Sequence, residues 1–490
     1  MNKTPLFFTA LALLALGSCA KESGKDIPQD EPLQEEMPVG FGAYMNRSVT
    51  TKAGWAGDLA TDKLKADANG FGVFGYYTKD EPYSASAKPD FMYNEHVYWT
   101  ESVQQWEYGI IKYWPNAYGE NAESNVIDRL SFFAYAPYVE VDNASGLVLD
   151  DGTANYDSAG ITALSRNTAS GDPQVKYTAS MDPHNCVDLC WGVSARAFTS
   201  SVDGTNNDVK AGQPFLNLVK PKINDRLQFE FRHALAALNV LIDTDVDVVS
   251  HKDGDLNGAT RIYVRSVTFE GFTDKGALNL NSRADASVAP LWTSLTGGKP
   301  DNTPVTVYDA RRDGKEGVAG ADASNETPTG LNPSVIQSAP YYNEDGTPNT
   351  TTITPGVTHA SQNLFYGEEM STSVLVIPNG QAMKVTVVYD VETIDPKLAK
   401  TLSDGKTKGS TIENAITKAI TINDDDLILE AGKKYTLNLH LGMTSVKVSA
   451  SVSGWDDGSE ANTDVPGNVP SPSNPGAYSD GSELPDVQEP

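Results

Sequence analysis

The sequence predicts an all-β fold, mostly antiparallel and arranged as β-sandwiches. Apolar residues recur at every second position in several runs, the period of a half-buried strand. Helical periodicity is scarce and leaves room for one or two short helices. Long Gly, Asn, Thr and Asp-rich stretches, such as 297–360, separate the runs and read as surface loops. A chain of 490 residues has length for more than one core, and two domains are expected, 38–250 and 251–455, with the boundary falling near 225–255.

The first elements are for targeting rather than folding. Lys3, an apolar run from Leu6 to Leu16 and then Gly17-Ser18-Cys19 describe a lipoprotein signal over residues 1–18. Small residues before the cut fit the peptidase, and the thiol of Cys19 takes the diacylglycerol. The run is too short to cross a bilayer as a helix, and an ordinary secretory signal with an incidental cysteine is the alternative. Residues 19–37, rich in Lys, Glu, Asp, Gln and Pro, make a flexible tether.

Phe71–Tyr77 and Leu130–Ala136 read as aromatic-rich strands buried on both faces. Between them crowd Tyr93, Tyr98, Trp99, Trp106, Tyr108, Tyr113, Trp114 and Tyr118. Such rings can stack on sugars, but high strand propensity and large burial make sandwich core the simpler assignment. Leu227, Phe229 and Phe231 alternate with Gln228, Glu230 and Arg232. The apolar phase then slips to Leu238, Val240 and Ile242, which predicts a bulge near Ala236-Ala237.

Val374–Ile377 and Met383–Tyr389 flank Pro378-Asn379-Gly380, a hairpin signal. Thr411–Ile420 is the best helix, with Ile412, Ala415, Ile416, Ala419 and Ile420 on one face and Ser410 and Glu413 as a capping box. Tyr435, Leu437, Leu439 and Leu441, then Val446, Val448, Ala450 and Val452, predict two strands joined by a turn around Gly442. Residues 456–490 hold eight acidic and no basic residues among many Pro, Gly, Ser and Asn, and cannot build a core.

Charge excludes one class of partner. With 65 acidic against 37 basic residues the formal charge is -28, which repels phosphate backbones, so no nucleic acid is expected. Cys186 and Cys190 are spaced for a disulfide across a tight loop in an oxidising compartment. With His184 they also resemble half a zinc site, and no second pair completes it.

The strand segments resemble a known family. Phe71-Gly-Val-Phe-Gly-Tyr-Tyr77, Leu130-Ser-Phe-Phe-Ala-Tyr-Ala-Pro137, Phe229-Glu-Phe-Arg-His-Ala-Leu-Ala-Ala-Leu238, Val374-Leu-Val-Ile-Pro378 and Ala431-Gly-Lys-Lys-Tyr-Thr-Leu-Asn-Leu439, running on to Gly454-Trp455, resemble the fimbrillin (Mfa-like) lipoproteins of Bacteroidales. They occur in the family's order across most of 38–455. The resemblance implies two transthyretin-like β-sandwich domains and a place in surface fimbriae, contributing to adhesion. It implies an outer-membrane precursor held by lipid at Cys19, cut after its first strand, and joined to other fimbrial subunits by strand exchange. Here that strand is Val39-Gly-Phe-Gly-Ala-Tyr44, with Val39, Phe41 and Ala43 on one face, and Arg47 then Lys52 follow it as basic cleavage sites. A lipid-anchored protein that recognises glycan or a host ligand without polymerising is the alternative.

The proline-rich tail departs from a donor strand, because proline cannot supply ladder donors. Val446–Val452, if released, is another donor. An acceptor that donates nothing is a third arrangement.

Chemical motifs are sparse. Asp253-Gly-Asp-Leu-Asn-Gly258 matches half a calcium loop through Asp253, Asp255 and Asn257, but position twelve is Val264 rather than a bidentate carboxylate. Asp424-Asp425-Asp426 reads as a solvated turn. His96, His184, His233, His251, His359 and His440 form no H-E-x-x-H, no G-x-S-x-G is present, and Asp182 and Asp188 have no evident partner. No cofactor and no enzymatic activity are expected.

Overall fold

Both faces of the central strands are buried because alternate side chains enter two different cores. In the computed structural model the described residues are 37–45, 64–65, 70–115, 128–150, 153–155, 160–199, 201–202, 205–206, 208–221, 225–246, 259–284, 290–309, 356–365, 372–394, 400–401, 407–408 and 410–455. The signal, Cys19, the tether up to residue 36, Arg47, Lys52, Tyr118, His251, the loop 253–258 and the tail lie outside them.

Strands are numbered along the chain. An eight-stranded sheet holds β1 (Gly40–Met45), β2 (Phe71–Lys79), β3 (Met92–Thr100), β4 (Gln105–Tyr108), β5 (Arg129–Ala136), β10 (Cys190–Ser194), β13 (Phe215–Leu218) and β14 (Arg226–His233). Its order is β1-β14-β10-β5-β2-β3-β4, with β13 added to β5. A four-stranded sheet pairs β8 (Gly160–Leu164) and β9 (Gln174–Thr178) with β18 (Lys275–Asn279) and β19 (Trp292–Thr293), so its strands come from both sides of residue 250.

A six-stranded sheet contains β15 (Ala236–Thr244), β17 (Phe272–Thr273), β21 (Gln362–Asn363), β22 (Val374–Pro378), β29 (Lys433–Leu441) and β30 (Val446–Gly454). A second four-stranded sheet runs β20 (Val305–Asp309), β16 (Ala259–Glu270), β23 (Lys384–Ile394) and β26 (Ser410–Ala419). Two-stranded ribbons are β6 (Val148–Asp150) with β7 (Thr153–Asn155), β11 (Ser201–Val202) with β12 (Thr205–Asn206), β24 (Lys400–Thr401) with β25 (Thr407–Lys408), and β27 (Thr421–Ile422) with β28 (Asp425–Asp426). Among these named strands, β1–β14 and β15–β29 pair parallel and the rest antiparallel.

Phe71 and Val73 of β2, with Phe132 and Ala134 of β5, enter a core shared with Phe41, Phe229 and Phe231. Their neighbours Phe74, Tyr76, Phe133 and Tyr135 enter a second core with Leu238, Val240, Tyr389 and Leu437. The period-two geometry of a strand makes this division unavoidable once both faces are covered. The β29–β30 hairpin forms as expected, with Leu441 opposite Val446. Asn423 and Asp424, at φ 52° and 71°, make the solvated turn between β27 and β28, the geometry of a two-residue hairpin.

Three expectations are corrected. Thr411–Ile420 is not a helix. Ser410–Ala419 pairs with β23 residue for residue, from Ser410 opposite Thr393 to Ala419 opposite Lys384. The β-branched Thr411, Ile412, Ile416 and Thr417 suit that ladder, and pairing overrides the local capping signal. Val374–Ile377 and Met383–Tyr389 do not form a hairpin either. β22 pairs with β15 and β17 while β23 pairs with β16 and β26, so the chain changes sheets at Pro378-Asn379-Gly380. Likewise the phase slip near Ala236 is no bulge. β14 ends at His233 in one sheet and β15 starts at Ala236 in another, so each run faces its own core.

Candidate functional site

The first strand closes the eight-stranded sheet. β1 lies parallel to β14 in unbroken register from Gly40 opposite Arg226 to Met45 opposite Phe231. Val39, Phe41, Ala43 and Met45 are at most 5% exposed, so the face expected from alternation is the buried one. A Cβ at Gly42 would meet the end of the Gln228 side chain at 2.2 Å, so a larger residue there displaces that side chain. Phe41 stands 5.6 Å from the ring of Phe132, 5.6 Å from Tyr108 and 6.2 Å from Phe229.

The entry to β1 is tied to the far end of the sheet. Val39 N–H donates to the Lys112 carbonyl at 2.8 Å, and Trp114 N–H donates to that of Met37 at 2.9 Å. The Tyr108 hydroxyl donates to the Val39 carbonyl at 2.7 Å. Tyr44, opposite Glu230, has its phenol pushed up to about 12, first by burial and then by the Glu230 charge, against the lowering effect of Arg232.

Magnitudes say what displacing β1 involves. Exposing Val39, Phe41 and Met45 at roughly 1.5–3 kcal/mol each loses roughly 5–9 kcal/mol, comparable with the whole stability of a domain. The unpaired edge of β14 would then also present free backbone groups. A vacated seam therefore needs another strand.

The aromatic region is mainly core. Trp106 and Trp114 are buried, and Tyr93 packs against the second core. The exposed apolar residues here are Val103, Ile110, Ile111 and Tyr113, the last at 43%.

A second cluster brings together residues that sequence spacing did not connect. Asp188 precedes Cys190 by two positions, and Cys190 stands opposite His233 across β10 and β14. His233 Nδ1 is 2.7 Å from Asp188 Oδ2 and 3.7 Å from Cys190 Sγ. The D-x-C spacing was visible in sequence, but its partner lies 43 residues on and only the register supplies it. Asp188 thus has the partner that the sequence left unassigned. Both side chains approach the same ring nitrogen, so this is not a relay in which one nitrogen meets a nucleophile and the other a carboxylate.

The expected staple is not present in this structure: Cys186 and Cys190 are not joined in a disulfide, and both are buried. The Cys186 thiol points to the carbonyls of Ser180 at 3.2 Å and Asp182 at 3.4 Å, in the second core, whereas Cys190 enters the first. Burial pushes the Cys186 thiol up to about 12. Of the other histidines, His96 stacks on Tyr138 at 3.9 Å, and His440 lies between Asp243 at 2.6 Å and Asp245 at 2.9 Å. Val264, at position twelve of the calcium pattern, is buried in β16.

With this geometry in place, the chain can be compared with known proteins. It is 22% identical over 469 residues to the fimbrium subunit Fim1C of Phocaeicola vulgatus, covering 93% of this chain and 97% of that one. The similarity supports a fimbrillin-like family. It spans both cores and the whole run of resembling strands. A fimbrial protein of Bacteroides vulgatus in crystal form is 19% identical, with 86% of this chain and 99% of that one covered at a TM-score of 0.47. No family model matches.

Proposed function

We propose that this chain is an exported subunit of cell-surface fimbriae that accepts a strand from a neighbouring subunit in place of β1. The observation that carries it is the placement of β1. It is the terminal strand of its sheet, it fills the first core with Val39, Phe41, Ala43 and Met45, and it leads directly into Arg47. The full-length similarity to a fimbrium subunit supports the same reading. In it, lipid at Cys19 holds the precursor to the outer membrane, cleavage after Arg47 frees β1, and an alternating apolar strand replaces it.

The role of acceptor fits better than that of donor from β30. Of its inward side chains only Val446 is fully buried, and Val452 is 47% exposed, so the strand itself is weakly held. Its end is not. Trp455 is buried, its ring stacks on His233 at 4.2 Å, and its backbone N–H donates to the Gly432 carbonyl at 2.8 Å. Releasing β30 would undo that anchor, which favours a tip or accessory position. Burial of Trp106 and Trp114 counts against the alternative of an aromatic glycan platform.

The test is the N-terminal sequence and mass of the protein from the cell surface. A chain that starts at Ser48 without lipid supports the proposal. One that keeps lipidated Cys19 and residues 20–47 in assembled fimbriae overturns it.

A further inference from the structure

The cluster at the crossing from β14 to β15 combines three ligand types of one metal class. Asp188, Cys190 and His233 are all buried, and their ligand atoms lie within 4.8 Å of one another. A carboxylate, a thiol and an imidazole form the mixed O, S, N set that suits zinc, whereas calcium and magnesium prefer oxygen alone. Strand geometry brings them together. Asp188 lies two residues before β10 begins at Cys190, its Oδ2 at 2.7 Å from His233 Nδ1, and His233 is the cross-strand partner of Cys190.

Zinc bonds of about 2.05 Å to nitrogen and 2.3 Å to sulfur, at a tetrahedral angle, place those atoms about 3.6 Å apart. The Cys190–His233 separation is 3.7 Å. Asp188 and His233, at 2.7 Å, would need to part by about 0.6 Å to reach the corresponding separation. Charge also balances, since carboxylate, thiolate and neutral imidazole bring the net charge of a divalent ion to zero, and one buried water would complete the four-coordinate shell.

We propose that Asp188, Cys190 and His233 form a structural zinc site that clasps the crossing between the two sheets. The competing arrangement is a buried Asp188–His233 pair with Cys190 as a packed bystander. The crossing is the right place for a clasp. Ala234 N–H donates to Leu189 at 2.8 Å, Gly432 N–H donates to Leu235 at 2.9 Å, and the Trp455 ring lies on His233 within 3° of parallel. An ion holding His233 would fix the surface on which Trp455 stacks, and so steady the end of β30.

The chain has three cysteines, so full-length protein carrying Cys19→Ala and Cys186→Ala keeps Cys190 as its single thiol. Refolded with cobalt(II) and freed of excess metal, it is expected to retain one ion per chain. It should also show a near-ultraviolet sulfur-to-cobalt charge-transfer band that zinc abolishes. Adding Cys190→Ala should remove the band, and zinc should raise the melting midpoint of the single-thiol protein. Folded single-thiol protein with no band and no retained metal overturns the site, as does a band that survives Cys190→Ala. If Cys190→Ala does not fold, band and stoichiometry in the single-thiol protein decide alone.

Discussion

Phe41 and Tyr108 meet at 5.6 Å although β1 and β4 stand at opposite ends of the strand order β1-β14-β10-β5-β2-β3-β4. The sheet curls until its two edges face each other, and β1 fills the gap. That makes the first strand both the last piece of a core and a strand with a ladder on one side only.

Phe41→Ala should therefore destabilise the unprocessed chain by about 3–5 kcal/mol, the range for emptying a buried aromatic site. Denaturant unfolding of chain that retains β1 measures this. A loss under 1 kcal/mol would mean that β1 is not packed as described.

Tyr44 predicts an alkaline limb. Its phenol titrates at 10.0 in its ordinary state and at about 12 here. Between those values the unfolded chain has released the proton and the folded chain has not, so stability is full below pH 10 and falls as pH rises toward 12. Other buried tyrosines add to the fall. Tyr44→Phe should make it shallower, and unfolding midpoints across that window give the slope. An unchanged slope would show that burial of Tyr44 contributes nothing there.

Arg265 and Asp390 form a buried ion pair at 2.5 Å between β16 and β23. Asp390→Ala leaves a buried guanidinium without that carboxylate and should cost about 3–5 kcal/mol. Arg265→Met combined with Asp390→Leu should cost much less. Equal losses in the single and double variants would refute the pairing as the cause.

Trp455 offers a further check on the crossing. Trp455→Ala removes the ring stacked on His233 and the contact with Lys434, whose Nζ is 5.4 Å from the ring centre. A loss of about 3–5 kcal/mol is expected. Hydrogen exchange in β30 should rise with it, and protection that stays at the native level would show that the strand end is held by other contacts.

The two buried thiols give a simple measurement. With Cys186 pushed up by burial and Cys190 fully buried, neither should react with a thiol reagent at pH 8 in native protein. Both should react on unfolding. Recovery of a linked Cys186–Cys190 peptide would contradict the separate environments found here.

Much of the strand content was legible in local pattern. Alternation at 435–441 and 446–452 placed β29 and β30, continuous apolar runs placed β2 and β5, and alternation put Val39, Phe41 and Ala43 on one face, which the structure buries. Each of those signals is carried by neighbours in sequence. The errors arose where neighbours in sequence part company in space. Pro378-Asn379-Gly380 has hairpin chemistry, but its flanking strands belong to different sheets. The slip at Ala236 looks like a bulge because alternation records only which way a side chain points, not which core receives it. Ser410–Ala419 has helical spacing, and a ten-residue ladder with β23 outweighs the weak preference of a single segment.

What the sequence determined by itself is therefore the all-β character, the strongly acidic charge, and the faces of the individual strands. Tertiary structure alone decided which strands pair, that β1 closes a curled sheet against Tyr108, and that Asp188 and Cys190 meet His233. Period and composition are local properties of the chain. Register between strands is set by long-range ladders, in which a shift of one residue would turn every buried side chain outward.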